Sequence, residues 1–327
     1  IVYPFLSIYL RSLGLSTTEV TLMATVGMIA NAGTQSFLWG NALDKYKKPK
    51  TFVMMGEFLA GLGHIFMVLG YQYFLNLNLL IVAGYVIIFS LGGIEVFWSM
   101  SNVGWSALIS ELTDYDERKK IMGQLSIVGG FGGIAGASLG GFLYDYGTGF
   151  VNGSIFNIAA IVMIFSSFIV YFTIRSKAEL GERNEEEKHS LKDLPTQLRN
   201  SYLIFIVALI FLNFGRNSIA IITSIFLAEP TAFGASGELI AIYRNVGSIA
   251  TMLTGFLIGS VVSKADDNKF LMFGVILSIL GIAWLIIAPT FLLTIISSFL
   301  IGASHIIIES TSYSLVAKIA PEEYRGR

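Results

Sequence analysis

Apolar runs of about 20 residues recur along this chain, at 20–39, 51–70, 79–108, 121–143, 151–174, 201–227, 239–262, 269–288 and 291–317. A helix rises about 1.5 Å per residue, so each run is long enough to cross a hydrocarbon layer of about 30 Å. A helix also closes its own backbone hydrogen bonds, which lipid cannot do for it. Repetition of such runs restricts the fold class to an all-α polytopic membrane protein. The rest of the composition agrees: 54% of residues are hydrophobic, only 13% are charged, and mean hydropathy is +0.71. Residues 1–10, IVYPFLSIYL, read as the tail of a truncated first span. Pro49, Pro195, Pro230, Pro289 and Pro321 fall in or beside the expected connections, where a missing N–H costs least; Pro4 is the exception.

The charged residues orient these spans. Segments 40–50, 111–120, 175–200, 263–269 and 318–327 together hold 18 of the 21 lysines and arginines. Of the other three, Arg11 lies in an opposite loop, and Arg216 and Arg244 lie within spans. Basic residues stay on the cytoplasmic side, so the loop at 40–50 and the polar stretch at 175–200 are expected there, in a cell (plasma or inner) membrane. That stretch is charge-rich and apolar-poor and reads as a solvated linker. It divides the chain into an N-terminal six-span half at 1–174 and a partial C-terminal half at 201–327. A repeat crosses it: LISELTDYDER at 108–118 aligns with LVAKIAPEEYR at 315–325, an offset of 207. Gly40-x-x-x-Asp44-Lys45 has a weaker echo in Gly259-x-x-x-Ser263-Lys264. Parallel repeats of this kind occur in secondary transporters.

With these residues the chain resembles the major facilitator superfamily. The family's loop between spans two and three reads roughly G-x-L-x-D-R/K-x-G-R/K-x-R/K, and Gly40, Asp44, Lys45, Lys48 and Lys50 match it. Ala42 and Lys47 depart from it. The stretch GGIAGASLGG at 132–141 is similar to the family's antiporter motif through Gly132, Gly136, Gly140 and Gly141, with Ala137 in place of the proline. The same Gly132, Gly136 and Gly140 spacing also serves close helix packing. The resemblance implies a two-half helical bundle, truncated at both ends and covering about ten of twelve spans. It further implies that Asp44, Lys45 and Lys48, with Arg118 as partner, help close a cytoplasmic gate. The arginine that the family often carries before a Q-G pair in span four is missing here, where Ile87, Ile88 and Phe89 precede Gly92 and Gly93.

Charges inside spans cost several kcal/mol and each needs a reason. Glu57, Glu95, Arg216, Arg244 and Glu309 are the candidates, joined by His64 and His305. By the resemblance, spans one, four, seven and ten line a central cavity. Glu95 would fall on the fourth, Arg216 on the seventh, and His305 with Glu309 on the tenth. Trp98 and Asn102 share a helical face with Glu95, at i+3 and i+7. An acid, an indole and an amide on one stripe suit a small organic solute. A structural Glu95–Arg216 pair is the competing reading. A carboxylate held in such a cavity can take up a proton near neutral pH, so Glu95 or Glu309 is the expected proton-coupling acid. Glu57 is expected to reach a loop lysine, His64 to be a hydrogen-bonded packing residue, and Asn31 with Gln35 to bond neighbouring helices.

Other functions are excluded or remain open on composition and motif. A net charge of −1 gives no basis for a nucleic-acid partner. The absence of cysteine removes disulfides, thiol catalysis and thiolate metal sites. No HExxH and no G-x-x-x-x-G-K-[S/T] is present, so neither an enzyme nor a nucleotide-driven pump is expected, and no cofactor or metal. What is expected is a monomeric secondary transporter in the lipid bilayer, moving a small organic solute by alternating access with proton coupling. An uncoupled facilitator and a non-transporting sensor on the same fold are the alternatives.

Overall fold

The computed structural model describes residues 2–113, 115–175, 196–260 and 266–319. Within these, the side chains of the candidates Arg118 and Arg216 lie outside the description. So do most of the expected linker at 175–200 and the second arm of the repeat.

Every described element is helical. In order they are α1 (Tyr3–Ser12), α2 (Thr17–Thr34), a π turn (Gln35–Gly40), α3 (Asn41–Tyr46), α4 (Pro49–Asn76), α5 (Leu80–Leu112) and α6 (Tyr115–Tyr144). A 3-10 turn (Asp145–Gly147) then leads to α7 (Thr148–Val151), α8 (Ser154–Thr173), α9 (Thr196–Ala228), α10 (Gly237–Ser260), α11 (Asp267–Ile287) and α12 (Phe291–Ile319). Among the described residues, six segments are long and apolar enough to cross a membrane: Pro49–Asn76, Leu80–Leu112, Ile127–Val151, Ser154–Thr173, Asp267–Ile287 and Phe291–Ser312.

The expected loop at 40–50 is corrected. Helical backbone continues through Tyr46, and only Lys47 and Lys48 break it before α4. Asp44, Lys45 and Lys48 are exposed, so the charges need no loop to reach solvent. Lys47 makes the turn in the left-handed region at φ 52°, and Pro49 opens α4 in its first turn, where its missing N–H has no helical partner to lose.

The chain forms two compact units. The first gathers Ile1–Leu112, Leu143–Glu185 and Ala220–Ile225; the second gathers Thr113–Phe142, Glu186–Ile219 and Phe226–Arg327. In the first unit α4 packs on α5 and α8, and α5 packs on α2. Glycine sets these crossings. A Cβ at Gly56 would stand 2.5 Å from the Ser101 amide nitrogen, and one at Gly104 would stand 2.8 Å from the Pro49 carbonyl oxygen. Helix backbones approach closely only where small residues allow it. Tyr71, Phe150 and Phe156 fill the end of this unit, with the Tyr71 hydroxyl donating to the Phe150 carbonyl.

Small hydroxyl residues lie inside beside the apolar core, while many large apolar side chains face outward, the pattern of a bundle solvated by lipid. Ser99, Ser101 and Ser167 are buried, whereas Phe37, Phe142 and Phe172 are exposed. Glu57 bonds the Ser101 hydroxyl at 2.8 Å across the α4–α5 crossing, not the lysine expected from sequence. His64 is buried with Nδ1 at 2.9 Å from the Ala60 carbonyl and packs near Phe156, as expected of a packing histidine.

α2 starts with a capping box. The Ser16 hydroxyl accepts from the Glu19 amide, and the Glu19 carboxylate accepts from the Ser16 amide at 2.7 Å. Tyr85 on α5 adds a second donor at 2.6 Å. Hydrogen bonds from Ser16, and then from Tyr85, hold the Glu19 carboxyl down at about 2. A carboxyl whose value falls on folding stabilises above its ordinary value and loses that contribution as pH drops through the lowered one. Glu19→Gln is therefore expected to lower the melting temperature at neutral pH. The difference from wild type should shrink as pH falls from 4.5 towards 2, which melting curves in detergent across that range check.

Candidate functional site

The first unit holds a half-buried polar ladder between α2 and α5. Glu95 on α5 stands at its head. One carboxylate oxygen accepts from the Tyr3 hydroxyl of α1 at 2.8 Å, the other from the Asn31 side-chain amide of α2 at 2.9 Å. Gly27 lies against the acid without crowding it: a Cβ there would meet Glu95 Cγ at 3.5 Å, an ordinary contact. One turn along, Thr34 and Ser99 hydroxyls are 2.6 Å apart. The Val96 carbonyl accepts from both the Ser99 hydroxyl and the Trp39 indole, each at 2.7 Å. Three helices thus converge on one in-span carboxylate, and its two oxygens are both used.

Trp98 and Asn102 are half-buried on the same helix and make no hydrogen bond among the described residues. Asn31 bonds a neighbouring helix, as its position suggested. Tyr3 was not anticipated at all, because it lies 92 residues from Glu95 in sequence and carries no local signal.

The second unit holds a separate feature on α12. His305 Nδ1 lies 3.3 Å from Glu309 Oε2, one helical turn on, an ion pair when the imidazole is protonated and a hydrogen bond otherwise. The side chains are 48% and 41% exposed, so the pair is not sealed in packing. It borders a hollow of about 300 Å³ that Gly129, Gly130, Ser248 and Thr251 also line. The hollow exists because α6 brings small residues to α10. A Cβ on Gly133 would stand 2.8 Å from the Ser248 hydroxyl, and one on Gly130 would clash with Met252 at 2.0 Å. Gly132, expected from its spacing to pack closely, has nothing within 4 Å. Ser248 and Thr251 were missed for want of any charge to mark them.

α10 and α12 are bound by a seam of small and hydroxyl residues. A Cβ at Gly302 would stand 2.1 Å from the Gly247 carbonyl oxygen. The Thr251 hydroxyl lies 3.0 Å from the carbonyls of both Gly247 and Gly302, and the Ser298 hydroxyl donates to the Tyr243 carbonyl. On its other side α10 meets α6, where the Asn245 amide donates to the Ser138 hydroxyl at 2.8 Å.

Of the residues expected to act together, the structure pairs His305 with Glu309. It gives Glu95 the partners Tyr3 and Asn31; the Arg216 side chain, its partner in the competing structural reading, lies outside the described residues. Gly40 closes the π turn, and Lys45 places its ammonium 5.4 Å from the Tyr46 ring centre. Lys50 lies similarly over Tyr171 at 5.6 Å.

A family model described as Major Facilitator Superfamily matches residues 1–327, the full length of the chain. The chain belongs to the Major Facilitator Superfamily. This superfamily member is an integral, multi-pass, all-helical membrane protein. It is 22% identical over 284 residues to a protein named Multidrug resistance protein 2 of Bacillus subtilis (strain 168). The match takes in 83% of the superfamily member described above and 64% of that relative. The chain therefore spans less than two thirds of the relative's length.

Proposed function

We propose that this superfamily member is part of a secondary transporter that moves a small, lipophilic organic solute by alternating access, with proton coupling. The presence of hydrogen-bonded carboxylates inside spans carries the reading. Glu95 and Glu309 occupy positions where an unneeded charge would be costly, and each keeps polar partners. Membership of the superfamily and the name of the Bacillus relative support transport of drug-like solutes. On this reading Glu95 and Glu309 bind and release the proton, while Trp98, Asn102, Arg216 and His305 contribute to the solute cavity. Asp44, Lys45 and Lys48 with Gly40 and Arg118 serve the cytoplasmic closure, and segments 40–50 and 175–200 face the cytoplasm. The halves at 1–174 and 201–327 are the parts that alternate, and the working unit is a monomer.

Flux of ethidium, a lipophilic cationic dye, tests the reading in vesicles holding the full-length protein. Dye movement should rise several-fold when a pH gradient is imposed and collapse when an ionophore dissipates it. Flux indifferent to the gradient would favour an uncoupled facilitator. No protein-dependent flux for ethidium or for a panel of neutral and anionic solutes would favour a sensor.

A further inference from the structure

The helix that carries Asn31 does not run straight into the Asp44 segment. Between them the backbone opens into the π turn Gln35–Gly40. A π turn holds about one residue more than an α turn, which offsets everything beyond it by about 100° from α continuation. Past the turn the bonding tightens before α3 resumes. The Asn41 amide goes to the Leu38 carbonyl, and the Phe37 carbonyl, its ordinary α-helical acceptor, takes the Asn41 side-chain amide instead at 2.8 Å.

Contacts from α5 hold the turn open. The Trp39 indole donates to the Val96 carbonyl at 2.7 Å, and Thr34, just ahead, meets Ser99 at 2.6 Å. Packing does not require the extra residue, because Phe37 is 80% exposed. Gly40 fits the wide turn where alanine would press: its Cβ would stand 3.3 Å from the Gln35 carbonyl oxygen. A wide turn kept by a few side-chain bonds, with a glycine at its end and a free-standing extra residue, can exist in two registers.

We propose that the π turn Gln35–Gly40 is a register switch in the second span. Closing it to an α turn rotates α3, with Asp44 and Lys45, by about 100° and advances it about 1.5 Å. The same strand of contacts runs from Glu95 through Asn31 and through Thr34–Ser99 to Trp39–Val96. A change at Glu95 thus reaches the Asp44 end by turning one helix. This rests on the proposed working role of Glu95; the turn itself does not.

Deleting Phe37 from the full-length protein tests the switch, since it removes the extra residue, keeps both flanks in register and leaves an α turn. Amide hydrogen exchange at 36–41 is expected to be faster than in the flanking helix in wild type and to slow about tenfold in the deletion, as a closed turn opens less often. The dissociation constant for ethidium should stay within about twofold while its flux falls about tenfold, a factor worth 1.4 kcal/mol in the barrier. A deletion variant that moves dye at the wild-type rate overturns the switch. Should the deletion fail to insert, Gly40→Ala, which favours the α turn, is expected to slow both exchange and flux; wild-type behaviour in both overturns the proposal. Should wild type move no dye, the transport reading fails by itself, and equal exchange at 36–41 in wild type and variant then overturns the switch separately.

Discussion

Glu95→Gln is expected to lower pH-gradient-driven flux by about tenfold or more, the equivalent of losing at least 1.4 kcal/mol of coupling. The amide has nearly the shape of the acid, so the crossing of α1, α2 and α5 should survive. It cannot exchange a proton, yet it keeps both contacts: its nitrogen can donate to the Tyr3 hydroxyl, which turns to accept, while its oxygen accepts from Asn31. Loss of flux with an unchanged melting temperature separates a working acid from a structural one. Glu309→Gln is the second arm, because the His305 pair on α12 offers a rival proton site. Gradient dependence that survives in full in both variants would remove proton coupling from these residues.

The largest stability effect is expected at Gly302. The added methyl of Gly302→Ala would stand 2.1 Å from the Gly247 carbonyl oxygen, which is backbone and cannot rotate away. The α10–α12 crossing must then open, taking with it the Thr251 and Ser298 bonds. Overpacking of this kind costs about 1–3 kcal/mol or more, enough to lower the yield of folded protein. Gly132→Ala is the control. Open space surrounds that position, and alanine is the better helix former by about 1 kcal/mol, so melting should stay level or rise. Thermal unfolding in one detergent compares the two. A Gly302→Ala protein that melts with wild type would mean the crossing is looser than drawn.

Much of the fold was legible because lipid leaves few choices. Spans announce themselves as apolar runs, and lysines and arginines mark the connections between them. What stayed hidden depends on partners far away in sequence. The acid at Glu95 could be found as a charge within a span, but Tyr3 lies 92 and Asn31 64 residues from it. Glycine spacing at 132, 136 and 140 signalled a packing face, yet Gly132 meets open space while its neighbours Gly130 and Gly133 make close contacts. Period alone does not fix which side a neighbouring helix occupies. The charged segment after Gly40 read as a loop because charge and helix are opposed inside a span; at its exposed end they coexist. The π turn left no sequence signal, since it is held by Trp39 and Asn41 bonds that composition does not encode.

The seam between α10 and α12 carries a practical implication for anyone watching this protein work. Two rods touching at bare peptide groups slide past each other only by breaking that fit, so fluorophores or spin labels fixed to either should trace one common trajectory. A pair placed across the seam would give a constant ruler, suited to calibrating distance changes measured elsewhere in the molecule.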